Sequence, residues 1–239
     1  MRATSHPTDN LLVAALPPEV ATRWCQRLER IDMPLGMVMY ESGIAMTHVV
    51  FPTTAIVALL YVTERGASTE LAIVGREGLV GVPLFMGGGS TPSSAVVQSA
   101  GEGWRLPGGF VKDEFDRPGP VQRLLLRYTQ ALITQMAQTA VCNRHHTLDQ
   151  RLCRWLLLSL DRLPGNALTM TQELIANLLG VRREGVTEAT LNLQRAGLIR
   201  STRGRIEVLD RPRLEHRACE CYAVVRKEHD RLMPDRLSA

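Results

Sequence analysis

No run of apolar residues in this 239-residue chain approaches the roughly 18 needed to cross a bilayer, and Ile56 to Val62 is typical of the longest. A membrane span is thereby excluded. The run Leu11 to Leu16 is too short for a secretory apolar core and has no basic lead-in beyond Arg2, so the cytoplasm is the expected compartment. Cysteine is sparse: five residues, an odd number scattered along the chain, form no disulfide framework, which suits a reducing compartment. Aromatic residues make up only 5% of the chain, and lysine is reduced to Lys112 and Lys227, leaving Arg as nearly the whole basic set. Arg matches phosphates and guanine edges better than Lys does. GC-rich coding produces the same bias, so it carries no weight by itself. A Walker-type phosphate loop, a nucleophile elbow and a dinucleotide glycine fingerprint are all missing. Nothing argues for an enzyme.

What is present is the composition of a globular protein, 45% apolar and 22% charged, long enough for two modest domains with a core each. Its charge is unevenly divided. Residues 1–150 hold 12 basic and 13 acidic residues, net −1, whereas residues 151–239 hold 16 basic and 11 acidic, net +5.

Leu12, Leu16, Val20, Trp24 and Leu28 recur every four residues, as one face of a helical lead-in interrupted at Pro17-Pro18. From Asp32 to about Phe115 the pattern becomes short Val/Ile/Leu-rich runs punctuated by glycines, including Gly87-Gly88-Gly89. Many short strands joined by tight turns imply a β-sandwich, jelly roll or barrel. After Arg117-Pro118-Gly119-Pro120, glycine vanishes until Gly165 and a long helix begins. Val121, Leu125, Tyr128, Leu132, Gln135, Thr139 and Cys142 form one stripe, while Leu126, Ile133, Met136 and Ala140 line an adjacent one. Two stripes imply two partners: the helix's own β-domain and the same helix of a second subunit. A helix buried within one subunit satisfies the same pattern. Leu125, Tyr128, Leu132, Ile133 and Met136 are the candidate dimer contacts. A second helix runs from His146 or Thr147 to Leu163, and Pro164-Gly165-Asn166 ends it.

The run from Thr169 to Val186 reads as helix, tight turn, helix. Thr169 or Thr171 caps the first helix, with Gln172 or Glu173 positioned to complete a capping box. Gly180 supplies the turn; Ala176, four residues earlier, permits close approach, and Val186, six residues later, points into a shared core with Ala189 and Leu193. Gly197 ends the second helix, and Arg200 to Asp210 forms a hairpin with Arg203-Gly204 at its tip. That hairpin is a wing. Arg182 to Arg205 holds six arginines and two glutamates, net +4, on the helix that would enter a major groove and the wing that would touch flanking phosphates.

With Gly180-Val181-Arg182-Arg183-Glu184-Gly185-Val186, Gly197-Leu198-Ile199 and Arg203-Gly204-Arg205-Ile206, the sequence resembles the Crp/Fnr family of bacterial regulators from Leu11 to about Asp210. The resemblance implies an α+β architecture: an N-terminal β-roll (jelly-roll-like) effector domain with its leading helix in residues 1–116, a dimerisation helix in 117–145, and a winged helix-turn-helix with a C-terminal helix in 146–239. Arg183 and Glu184 match the family's base-reading pair, which implies that Arg183 donates to a guanine edge and Glu184 accepts from a cytosine amino group. Glu188 stands where a second base-reading Arg is usual, so a different operator is expected. The candidate DNA contacts are Thr171, Gln172, Arg182, Arg183, Glu184, Thr187 and Glu188, with Arg203 and Arg205 on the wing.

Cyclic-nucleotide-binding members carry a Gly-Glu pair for the ribose and, some ten residues on, an Arg followed by Ser or Thr for the phosphate. Here Val82 follows Gly81, and Ser93 stands at the Arg position. Charge-assisted hydrogen bonds are worth roughly 1.5–3 kcal/mol each, so cAMP is not the expected signal. Arg76 and Glu77 are the nearby substitutes, weighed against a charged surface turn. The family's iron–sulfur members use clustered N-terminal cysteines, whereas Cys25 is alone. Cys142, His145, His146 and Cys153 could close a tetrahedral zinc site with two thiols and two imidazoles, but their spacing matches no standard ligand knuckle and a solvated helix junction is the preferred reading; a redox or metal role for Cys142, Cys153, Cys219 or Cys221 stays open. Cys219-Glu220-Cys221 falls on a C-terminal helix, where residues two apart face different ways. No metal or cofactor is expected. The expected partners are double-stranded DNA carrying a palindromic operator, a second copy of the chain and an unidentified small-molecule effector; the resemblance also admits RNA polymerase. The competing reading is a small-molecule sensor whose winged helix mediates protein–protein contact, supported by Glu184 and Glu188.

Overall fold

The computed structural model describes residues 5–233. The outermost parts of the first and third expected segments, residues 1–4 with Arg2 and residues 234–239, lie outside the described residues. A 3-10 turn at Pro7–Asp9 leads into α1 (Leu11–Ala14) and α2 (Pro18–Cys25), the lead-in broken at Pro17. There follow β1 (Glu29–Met33), β2 (Val38–Tyr40), β3 (His48–Pro52), β4 (Ile56–Val62), β5 (Ser68–Val74), α3 (Val82–Phe85), β6 (Ser94–Ser99), β7 (Gly101–Pro107) and α4 (Gly108–Asp116). Two antiparallel sheets, ordered β1-β7-β3 and β2-β6-β4-β5, make the roll. Its interior is filled by Met33, Val49, Phe51, Val57, Val74, Leu79 and Leu106, with Trp24 of α2 set edge-on to Phe51 at 5.7 Å.

The long helix α5 (Pro120–His145) starts at a proline, whose missing N–H costs nothing in the first turn. Its Leu124, Leu125, Tyr128 and Leu132 complete the roll's core. The Tyr128 hydroxyl donates to the Leu79 carbonyl at 2.8 Å. Only glycine fits beneath it, because a Cβ at Gly78 would lie 2.5 Å from that hydroxyl. Two turns further, the Gln135 side chain covers the edge strand β5, accepting from the Ile73 N–H at 3.3 Å and donating to its carbonyl at 3.1 Å.

Leu125, Tyr128 and Leu132 are therefore part of the chain's own core, which corrects their expected place in a dimer contact. They lie on the stripe that faces the chain's own roll. Met136 is half-buried, and Ile133 is the single exposed member of that set, at 53%. The adjacent stripe, Leu126, Ile133 and Ala140, is exposed together with Ala137 and Val141.

Helix α6 (Leu148–Leu160) begins at the capping box of Thr147 and Gln150. It carries the second core, Leu152, Trp155, Leu156, Leu157 and Leu160, which also takes in Ile56, Ala58 and Ile73 from the outer face of the roll. The C-terminal unit is thus docked on the roll. Trp155 Nε1 donates to Glu70 at 3.3 Å, and Arg162 pairs with Glu77 at 2.7 Å with both side chains largely buried. Arg76-Glu77 is not a free surface turn; Glu77 belongs to the domain junction. Among the described residues no helix is long and apolar enough to cross a membrane.

Candidate nucleic-acid interface

Beyond α6, the short strand β8 (Ala167–Thr169) precedes α7 (Gln172–Leu179) and α8 (Arg183–Arg195), and β9 (Ile199–Thr202) and β10 (Arg205–Val208) form the wing. α9 (Arg211–Arg217) and α10 (Glu220–Leu232) close the chain. Of the two threonines, Thr171 is the cap, accepting from the Leu174 N–H at 3.2 Å. Gly180 turns the chain at φ +64, and a Cβ there would stand 3.0 Å from the Thr69 hydroxyl of β5. Ala176, Val186, Ala189 and Leu193 form the buried seam between α7 and α8. Gly185 lets α8 approach α6: a Cβ at that position would meet the Leu148 side chain at 2.9 Å. The wing is the expected hairpin with Gly204 at φ +74, but it is three-stranded, because β8 pairs antiparallel with β10. Three residues between two loops gave β8 no readable period.

The structure brings the expected contacts onto two adjoining surfaces. Arg182 stands at the α8 N-cap, and Arg183, Glu184 and Glu188 are exposed along the helix, with Thr187 half-buried beside them. The Thr187 hydroxyl donates to Gln172 Oε1 at 2.8 Å, tying the start of α7 to the middle of the outer face of α8. Arg183 rests 3.9 Å from Glu173, an exposed pair that holds it loosely. Arg203 sits at the wing tip and Arg205 is exposed on β10, while Arg200 is drawn back to Glu207 at 3.5 Å. The sequence reading passed over Leu191 and Arg195, both exposed further along α8. The spacing of four from Thr187 through Leu191 to Arg195 was the available signal. A helix with arginines and hydrogen-bonding side chains on its outer face, flanked by a basic hairpin, can enter a major groove while the hairpin follows the backbone.

In the roll, Val82 opens α3 and Ser93 bonds to the Thr91 and Tyr40 hydroxyls at 3.2 and 3.4 Å. Neither position offers a charge to a cyclic phosphate or a carboxylate to a ribose.

A different cluster was missed. Cys142 and His146 do not meet His145 and Cys153; they meet Cys219 and Cys221, and the four donor atoms lie within 4.8 Å of one another. Cys219 is not within α10 but is its N-cap, with extended backbone (φ −76, ψ 163), so its side chain is free to turn toward the same side as Cys221. That corrects the helical-face argument that set the two apart. The hydrogen bond between Cys142 and Cys219, Sγ–Sγ 3.5 Å, holds the Cys219 thiol below its ordinary value, while that bond and burial push Cys142 up. Burial pushes Cys153 up to about 12, leaving it an unreactive thiol.

The described chain is a β-roll, a long helix and a docked winged helix-turn-helix unit. Residues 150–217 match the Crp-like helix-turn-helix domain. No curated protein matches the chain. Solved structures do. A Crp/Fnr-family regulator from Eubacterium rectale aligns with TM-score 0.68 at 19% identity, covering 88% of this chain and 98% of that one. FixK2 from Bradyrhizobium japonicum aligns with TM-score 0.69 at 17% identity over 80% of this chain and 98% of its own. The c-di-GMP-responsive global regulator CLP of Xanthomonas campestris aligns with TM-score 0.65 at 14% identity over 81% and 100%. The C-terminal unit is a Crp-like helix-turn-helix domain, and the chain as a whole has the fold of the Crp/Fnr regulators.

Proposed function

We propose that this protein is a sequence-specific DNA-binding transcription regulator that acts as a homodimer on a palindromic operator. The observation that carries the DNA-binding half is the joined surface of α8 and the wing, where Arg182, Arg183, Arg203 and Arg205 are all solvent-facing within a domain of Crp-like helix-turn-helix type. In this reading Arg183 and Glu184 read base edges, and Arg203 and Arg205 neutralise phosphates.

The dimer reading rests on the outer stripe of α5. Leu126, Gln130, Ile133, Ala137, Ala140 and Arg144 follow spacings of four and three, and all are exposed. An unpaired heptad seam of this kind buries itself against a second copy of the same helix. Its small residues favour close approach near the C-terminal end. Two recognition helices on one duplex face then lie about one helical turn apart, roughly 34–36 Å.

The signal of the roll is not cAMP in this reading, since Val82 and Ser93 supply neither anchor. The fold does not fix the effector: CLP, with the same architecture, responds to c-di-GMP. Selection of bound sites from random duplexes, followed by binding measured at two salt concentrations, tests the proposal. A shared palindrome whose log affinity falls steeply with log salt is expected. Binding that ignores sequence and salt would favour the protein–protein reading instead.

A further inference from the structure

Cys142 lies in the last turn of α5, His146 caps that helix, Cys219 caps α10 and Cys221 lies in the first turn of α10. The three sulfurs are almost fully buried, at 1%, 4% and 0%, in a small cluster separate from both apolar cores. Their number, chemistry and separation constrain what they can hold.

Zinc binds thiolate sulfur at about 2.3 Å and imidazole nitrogen at about 2.0–2.1 Å, so neighbouring donors around one tetrahedral ion stand about 3.5–3.8 Å apart. Cys142 and Cys219 are 3.5 Å apart, and Cys221 Sγ is 3.6 Å from His146 Nδ1. A polynuclear iron–sulfur cluster would need its thiolates spread across the cluster, beyond the 4.8 Å that encloses all four donors here.

The surroundings support the same chemistry. His146 turns Nδ1 toward the thiols and presents Nε2 to the Glu220 carboxylate at 3.2 Å. A carboxylate on the far nitrogen is the arrangement that fixes the tautomer and orientation of a ligating histidine. Three thiolates on a dication carry a net charge of −1, and a buried cation stands by. The Arg154 side chain is 7% exposed and donates to the Thr139 hydroxyl at 2.9 Å. Its Nε finds no hydrogen-bond partner, and it forms no ion pair among the described residues. A buried guanidinium is costly unless something anionic sits near it; the Glu70 carboxyl is one such group, and a thiolate-rich metal site would be a second.

We propose that Cys142, His146, Cys219 and Cys221 bind one zinc ion in a closed tetrahedral Cys₃His site that clips the end of α5 to the start of α10. Thiolate donors select zinc over hard cations, and four protein ligands leave no open position, so the site is structural rather than catalytic. The clip joins residues 77 apart in sequence, one on the long helix and one after the wing. It therefore fixes where the DNA-reading unit sits on the helix of the proposed dimer.

The test uses the full chain, purified reduced and stripped of metal, titrated with cobalt(II) and then zinc. One equivalent of cobalt giving the intense visible bands of tetrahedral coordination with thiolate charge transfer, displaced by one zinc, is the expected result. Cys219→Ser, Cys221→Ser and His146→Gln should each abolish that spectrum, whereas Cys25→Ser and Cys153→Ser leave it intact. Glu220→Gln, on the surface, should keep the spectrum and weaken zinc affinity about 10–100-fold, a readout that survives if a ligand variant does not fold. The proposal is overturned if the folded, reduced chain gives only weak octahedral absorption. Failure of the fully reduced chain to take up either metal, with Cys142 and Cys219 instead joining as a disulfide when air is admitted, would overturn it too.

Discussion

Glu77 and Arg162 meet at 2.7 Å across the junction between the roll and the DNA-reading unit, with their side chains 14% and 7% exposed. The pair sits where the outer face of the roll receives the residues after α6, beside Gly75, whose N–H also donates to Glu77 at 3.2 Å. Truncating one partner leaves the other charge buried and unpaired. Arg162→Ala is expected to cost about 3–5 kcal/mol in urea unfolding, while the double change Glu77→Gln with Arg162→Met costs much less. Equal losses from the single and double variants would refute the pairing.

Glu70 lies on the same junction, facing Trp155 with Arg154 and Arg162 nearby. Burial pushes its carboxyl up to about 8 from an ordinary value of 4.5, against the Trp155 hydrogen bond and the two arginine charges. A carboxyl raised in the folded state favours folding when protonated. Its contribution is complete below pH 4.5 and is lost as pH rises toward 8. Glu70→Gln should therefore gain stability relative to the native chain between pH 5 and pH 8. Denaturant midpoints of the two proteins at several pH values check this; parallel curves would contradict it.

The two stripes of α5 separate folding from assembly. Leu132→Ala opens a cavity in the roll's core and should cost about 2–5 kcal/mol while leaving the proposed dimer intact. Ile133→Glu sets like charges face to face in the exposed seam and should give a folded monomer. Light scattering and thermal melts on both variants distinguish the roles. A monomeric native chain at micromolar concentration would sink the dimer.

Arg183 and Arg203 are expected to act on DNA differently. Arg183→Ala should cost about 1–3 kcal/mol on the selected site and relax preference at one position per half-site. Arg203→Ala should weaken selected and scrambled DNA alike and lower the salt slope by about one per subunit. Binding of both variants to both sequences at two salt concentrations decides the matter. Identical loss of specificity would reject the division of labour.

The sequence by itself determined whatever depends on neighbours along the chain. Proline and glycine punctuation located the broken lead-in, the short strands and the start of α5. The offsets around Gly180 located the helix-turn-helix, and the Arg203-Gly204 tip located the wing. Each is a local backbone or periodicity constraint. Even the two stripes of α5 were legible, because 3.6 residues per turn makes a stripe visible in one dimension. Which stripe faced inward was not, since both are apolar: the fit of Tyr128 over Gly78 and of Gln135 against β5 decided it. Only the tertiary structure could show that Arg76-Glu77 is a junction rather than a surface turn, because the partner of Glu77 lies 85 residues away at Arg162. The Cys₃His cluster was hidden for the same reason. Its halves are short pairs with no recognisable ligand spacing, and they become four donors around one point only because α5 and α10 pack side by side, with Cys219 at a cap where helical geometry does not yet hold.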